Sequence, residues 1–173
     1  ATDFYRHYTH YVDRCMGLCV TLCILTMKKI AISACLLGEK CRYDATDNKN
    51  EILLEQLKDT QLIPFCPEDA AFGTPRTTMD LIRTEEGDRA LSNFNGEDLS
   101  APIIEYATQF FEIHQELDFF IGKDRSPSCG VCSARVYDEE KTLLSSKVSG
   151  LMVKEAIKRN IRCIDAEDVR GSL

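Results

Sequence analysis

The chain has 173 residues, 44% of them hydrophobic, and carries 21 basic against 28 acidic residues for a net charge of −7. That length favours one domain. The acidic balance argues against the broad basic face that a nucleic-acid polymer requires, and it leaves a small nucleobase open as a ligand.

Residues 1–26 differ from the remainder. Tyr, His and Cys are frequent there, and 16–26 is mostly apolar. Lys28 and Lys29 interrupt that run, so from Met27 only residues 30–32 would form an apolar core, short of the ~7–15 residues of a signal peptide. The stretch reads as an N-terminal extension, with Met27 as the natural start and one domain over 27–173. Cys15, Cys19 and Cys23 share one helical face of it, a spacing taken as incidental. No stretch approaches the ~18 apolar residues of a membrane span.

A first strand is expected over 28–33 and a loop over 34–48. A helix follows over 51–58, with Asn50 as its N-cap. The apolar run 62–65 predicts a second strand ending at Cys66, and 71–76 a Gly/Pro loop. Residues 79–83 and 89–94 suit a hairpin. Ile103, Ala107, Phe110, His114 and Leu117 fall on one stripe at helical spacing, predicting a helix over 103–117 capped by Ser100. A strand at 119–121, a loop over 122–132, a strand at 134–137, a helix over 151–159 capped by Ser149, and a last strand at 161–164 complete the chain. Strands alternating with helices point to an α/β fold: a single three-layer domain with a mostly parallel, Rossmann-like sheet.

Nine cysteines are present. The βα pattern suits a cytoplasmic protein, in which cysteines more often bind metals or carry out chemistry than form disulfides. Cys35, Cys66 and Cys129 each follow a predicted strand, 31 and 63 residues apart. In an open parallel sheet, ligands bind beyond the carboxyl ends of the strands, so three distant thiols can meet there. Such soft ligands suit an iron–sulfur cluster, zinc or thiol chemistry.

Three segments surround these thiols. In the first, Gly38 permits a tight turn after Cys35, while Arg42 and Asp44 suit either contact with a polar ring or an internal ion pair. In the second, Pro67 restrains Cys66 to extended backbone, and Glu68 suits either an acid/base beside a metal centre or a helix N-terminal carboxylate. In the third, Ser126 and Ser128 can donate hydrogen bonds to a cluster or substrate, or satisfy an ordinary turn. Lys123 and Arg125 offset thiolate charge. Cys129 and Cys132 form a lone CxxC, which suits a thioredoxin-like redox pair or half of a zinc site. His114 and Cys163 read as core residues.

The segments ISACLLG (32–38), CRYD (41–44), CPE (66–68), TPR (74–76), NGEDL (95–99) and RSPSCG (125–130) together resemble a small bacterial family, long catalogued as a domain of unknown function, whose characterised members are thiouracil desulfidases. The resemblance implies a [4Fe–4S] cluster held by three protein cysteines, which map to Cys35, Cys66 and Cys129. It also implies that Glu68 and Ser126 take part in catalysis. Water would replace the sulfur of a thiolated nucleobase such as 2-thiouracil, with release of sulfide. The expected partner is a small thiolated heterocycle, with no nucleic-acid polymer, no membrane, and a monomer or homodimer as the working unit. The alternative from the residues alone is a metal or sulfur carrier, or a structural metal-binding protein. Two departures stand out. Ala45 follows Asp44 where the family usually has a glycine, at a turn requiring positive φ, and the loop after CPE reads DAAFG (69–73), short and poor in glycine.

Overall fold

The computed structural model describes residues 27–170. The extension expected over 1–26, with its three cysteines, lies outside the described residues. Strand β1 (Lys29–Ser33) leads into a 3-10 turn (Ala34–Leu37), then helix α1 (Glu51–Gln56) and strand β2 (Gln61–Phe65). Helix α2 (Pro67–Phe72), strands β3 (Met79–Thr84) and β4 (Gly87–Ser92), and helix α3 (Ser100–Ile113) follow. Strands β5 (Phe119–Gly122), β6 (Ala134–Tyr137) and β7 (Leu143–Val148), helix α4 (Leu151–Lys158) and strand β8 (Arg162–Asp165) complete the order.

Strands β2, β1, β5 and β8 form a wholly parallel sheet in that order. Ile30, Ala31 and Ile32 of β1 have no exposed surface, as expected of a strand covered on both faces. Pro64 is tolerated because β2 is an edge strand. On one face Ile30, Ile32 and Ile121 pack with Leu53 and Leu57 from the α1 region. On the other, Ala31, Phe65 and Phe120 pack with Phe110 and Phe111 of α3 and Met152, Val153 and Ala156 of α4. Phe65 and Phe120 stack with centroids 4.6 Å apart, and burying an aromatic ring of this kind is worth about 1.5–3 kcal/mol. The three-layer parallel arrangement expected from the sequence is therefore present.

A second sheet adds to this arrangement. Strands β4, β3, β6 and β7 form a second, mixed sheet, in which β3 pairs antiparallel with β4 and parallel with β6. Its core of Leu81, Ala90, Ala134 and Val136 closes against Ile103 of α3 and Leu151 of α4. These two helices therefore serve both sheets. Asn50 caps α1 as expected, accepting from Leu53 N at 3.0 Å. Ser100 and Ser149 do not cap their helices: Ser100 Oγ accepts from Ala90 N at 2.8 Å and Ser149 Oγ donates to Val131 O at 2.7 Å.

Candidate active site

The sheet order reverses beside β1: β2 flanks it on one side and β5 on the other. The crevice at such a switch point is where ligands lodge in open α/β sheets. Cys66 follows β2, Cys35 follows β1 and Cys129 lies in the loop after β5, and all three line one cavity of about 340 Å³. Cys35 sits in the 3-10 turn directly after β1, closed by Gly38 at φ +98°. Cys66 has extended backbone (φ −148°, ψ 98°), with Pro67 at the first position of α2. Its sulfur accepts from Asp69 N at 3.4 Å and its thiol donates to Cys41 O at 3.6 Å. Cys129 Sγ lies 3.3 Å from Ser33 Oγ, the last residue of β1.

The thiols share a poorly solvated space. Burial pushes Cys35 up to about 11, with the neighbouring Cys129 adding to the shift. Burial is also the main cause of the upward shifts at Cys41, Cys66 and Cys129. Each therefore holds its proton near neutral pH until a positively charged centre displaces it. Among the described residues, no three His, Cys, Asp or Glu side chains are grouped to hold one metal ion; the cysteines are spread along a cavity wall.

Glu68 occupies the first turn of α2, the helix N-terminal position that the sequence allowed, and its side chain lines the cavity. Its Oε1 accepts from Ser128 Oγ at 2.6 Å and from Ser126 Oγ at 3.4 Å, while Oε2 accepts from Arg76 Nη2 at 3.2 Å. Ser126 Oγ in turn accepts from Ser128 N at 3.3 Å and Cys129 N at 3.2 Å. The third segment thus folds as a compact turn that presents two hydroxyls to Glu68 and one thiol to the cavity.

Its neighbours hold that turn from several sides. A Cβ on Gly122 would stand 1.8 Å from Cys129 O, and one on Gly150 would stand 2.5 Å from Ser128 C. Only glycine lets β5 and the start of α4 press against the loop. The α4 N-terminus donates Leu151 N to Pro127 O at 3.1 Å and Met152 N to Ser128 O at 2.8 Å. On the far side the buried Asp165 accepts from Val131 N, Cys132 N and Ser133 Oγ at 2.8–2.9 Å.

The structure brings Cys35, Cys66, Cys129, Glu68, Ser126, Ser128 and Arg42 to one cavity wall, and leaves Asp44 off it. Asp44 pairs with Arg42 at 3.4 Å and accepts from Thr46 Oγ1 at 2.6 Å, the internal ion pair that sequence reasoning held open. The turn beside it keeps a positive φ despite the alanine, with Ala45 at φ +59°. Cys41 is buried and lines the cavity, whereas Cys132 is exposed and does not. Both cysteines of the CxxC are unpaired thiols. Sequence reasoning assigned no role to Arg76, nor to Thr78, Asp80 and Asn93 in and beside the β3–β4 hairpin, which form part of the cavity lining. The TPR motif contained Arg76, but no spacing rule predicted that α2 would turn the chain back onto Glu68.

The family model for 2-thiouracil desulfurase matches residues 30–168. The chain belongs to the 2-thiouracil desulfurase family. The span matched by the desulfurase model contains every cavity residue named above. Among solved structures the chain is similar to the [4Fe-4S]-dependent thiouracil desulfidase TudS, at 26% identity and a TM-score of 0.64, covering 82% of this chain and 93% of that one. It is also 28% identical over 151 residues to the uncharacterized protein YbbK of Bacillus subtilis (strain 168), covering 81% of this chain and 99% of YbbK. Desulfurase membership makes the chain an enzyme. Among the described residues, no helix is long and apolar enough to cross a membrane.

Proposed function

We propose that the protein removes sulfur from a thiolated pyrimidine such as 2-thiouracil, converting C=S and water into C=O and hydrogen sulfide, with a [4Fe-4S] cluster held by Cys35, Cys66 and Cys129. The observation that carries this reading is the meeting of three strand-end thiols and a Glu–Ser–Ser group in one cavity, in a member of the 2-thiouracil desulfurase family. Similarity to TudS supports the choice of cluster.

The residues fit such a group. Thiols that follow three adjacent strands line one cavity and are not gathered about a single point, which suits a multi-atom cluster ligated by cysteine sulfur. Ser33 Oγ at Cys129 Sγ and Asp69 N at Cys66 Sγ supply hydrogen bonds to the sulfurs, and the nearby Lys123 charge favours the thiolate of Cys35. When bound, the cluster supplies a Lewis-acidic iron without a fourth protein thiolate.

The protein's own groups then handle water and protons. Glu68 Oε1 is the base that takes a proton from the attacking water, directly or through the Ser128 hydroxyl 2.6 Å away. Ser126, whose Oγ is held by two backbone N–H groups and whose proton goes to Glu68 Oε1 at 3.4 Å, turns that proton to the charge growing on the ring. Thr78, Asp80 and Asn93 line the same cavity and offer polar groups to the heterocycle. The test is anaerobic reconstitution with iron and sulfide, followed by 2-thiouracil. Broad visible absorption, bound iron and sulfide, and release of uracil are expected. A colourless protein that releases no uracil would overturn the reading.

A further inference from the structure

The side chain of Arg76 is only 5% exposed, and its guanidinium reaches into four parts of the site. Nη2 donates to Glu68 Oε2 at 3.2 Å and to Cys41 O at 3.0 Å, while Nη1 donates to Gly73 O and Thr74 Oγ1, each at 3.0 Å. The Asp69 carboxylate stands 3.9 Å away. The remaining donor, Nε, is buried and has no partner. Native structures tolerate few buried donors without acceptors, so the guanidinium is placed for what its Nη atoms hold.

We propose that Arg76 is a positioning residue for the reaction proposed above, clamping Glu68 so that Oε1 faces the serines. The inference rests on that reading of the site. Glu68 is 15% exposed and is held at both oxygens: Oε2 by a fixed cation, Oε1 by two hydroxyls. Its carboxylate plane is therefore set by Arg76 on one side and by the Ser126–Cys129 turn on the other. A planar fork suits this work because it serves the carboxylate and three anchoring groups at once, and the anchors prevent it from following the carboxylate. Lysine, a single point donor, can meet one of these partners but cannot hold the others with the same geometry.

A purely structural role would also follow from the contacts to Gly73, Thr74 and Cys41, so the experiment must separate the two. The protein loaded with iron and sulfide is assayed with 2-thiouracil as wild type, R76Q, R76K, E68Q and E68Q/R76Q. In R76Q, kcat is expected to fall by about 10²-fold, the penalty of misplacing a catalytic group by around an ångström, while KM stays within about threefold of wild type by the same argument. Iron, sulfide and the visible spectrum should be unchanged, and R76K should recover part of the loss. The double variant should be no slower than E68Q alone, because Arg76 acts through a carboxylate that is no longer there. If R76Q does not fold, R76K in the same cycle decides the matter. Multiplied losses in the double variant, or loss of iron from R76Q or R76K, would overturn the clamp and leave the desulfurase reading standing. A loaded wild-type protein that leaves 2-thiouracil intact would overturn both.

Discussion

Ser128 Oγ donates to Glu68 Oε1 across 2.6 Å, joining positions 60 residues apart in the chain. That bond links the turn after β5 to the first turn of α2, so the acid/base group and the third thiol-bearing loop are set relative to each other. Glu68→Gln keeps the shape and removes the basic oxygen. Turnover of 2-thiouracil is expected to fall by ~10²–10⁴-fold, the usual contribution of a positioned proton carrier, with bound iron unchanged. Ser126→Ala, which removes one donor aimed at developing charge, is expected to cost ~10²-fold. Steady-state release of uracil, with iron analysis of the same samples, checks both, and an undiminished rate in Glu68→Gln would take Glu68 out of the chemistry.

The three candidate ligand thiols differ from Cys132 in a way that predicts metal content. Cys35, Cys66 and Cys129 line the cavity from the segments that follow three adjacent strands, while Cys132 is exposed and contributes its backbone N–H to Asp165. Alanine at Cys35, Cys66 or Cys129 is expected to abolish retention of iron and sulfide, and Cys132→Ala to leave both at the wild-type level. Iron per chain after anaerobic desalting is the measurement. Equal loss in Cys132→Ala would require a different ligand set.

The parts of the site carried by the parallel sheet were legible because their signal is dense. KIAIS and FFIG are short, buried apolar runs, and a motif cysteine follows each strand that borders the crevice. Strand β7 gave no such signal: Leu143, Leu144, Ser146 and Lys147 are exposed, so LLSSKV has no inward-facing alternation, and its pairing with β6 is irregular. Helix α2 entered the sequence reading only as one alternative for Glu68, because it is six residues long and capped by a thiol instead of a hydroxyl or carboxylate. The serines expected as caps failed for a tertiary reason, since Ala90 N and Val131 O occupy their hydroxyls. Arg76 could not be placed without α2, because its reach to Glu68 depends on that helix.

Ala45 holds a left-handed backbone at φ +59°, closing the turn in which Ala45 N donates to Arg42 O at 3.0 Å. A Cβ in this region costs roughly 1–2 kcal/mol, and glycine returns ~0.4–1 kcal/mol of that through its freer unfolded chain. Ala45→Gly is therefore expected to stabilise the protein by about 0.5–1 kcal/mol, and Ala45→Val to destabilise it. Thermal unfolding checks the order Gly above Ala above Val. A lower melting temperature for the glycine variant would mean that the turn carries no strain.

Asp88 ties the two sheets' shared helix to the hairpin. On β4, it accepts from Lys154 Nζ of α4 at 2.8 Å and from Arg83 Nε of β3. Burial works against its charge, but the hydrogen bonds and charges of Lys154 and Arg83 outweigh it and hold the carboxyl below its ordinary value. A group whose pKa is lower folded than unfolded stabilises the fold fully above the unfolded value, ~3.9 for Asp. The contribution disappears as pH falls through the folded value. Asp88→Asn is thus expected to cost about 2 kcal/mol at neutral pH, the worth of hydrogen bonds to a charged group. That penalty should shrink steadily once the pH drops below ~4. Urea unfolding of both proteins across that range measures it. A penalty that stays constant into acid would show that Asp88 acts by shape and neutral hydrogen bonding, with its charge contributing nothing to the union of α4 and the hairpin.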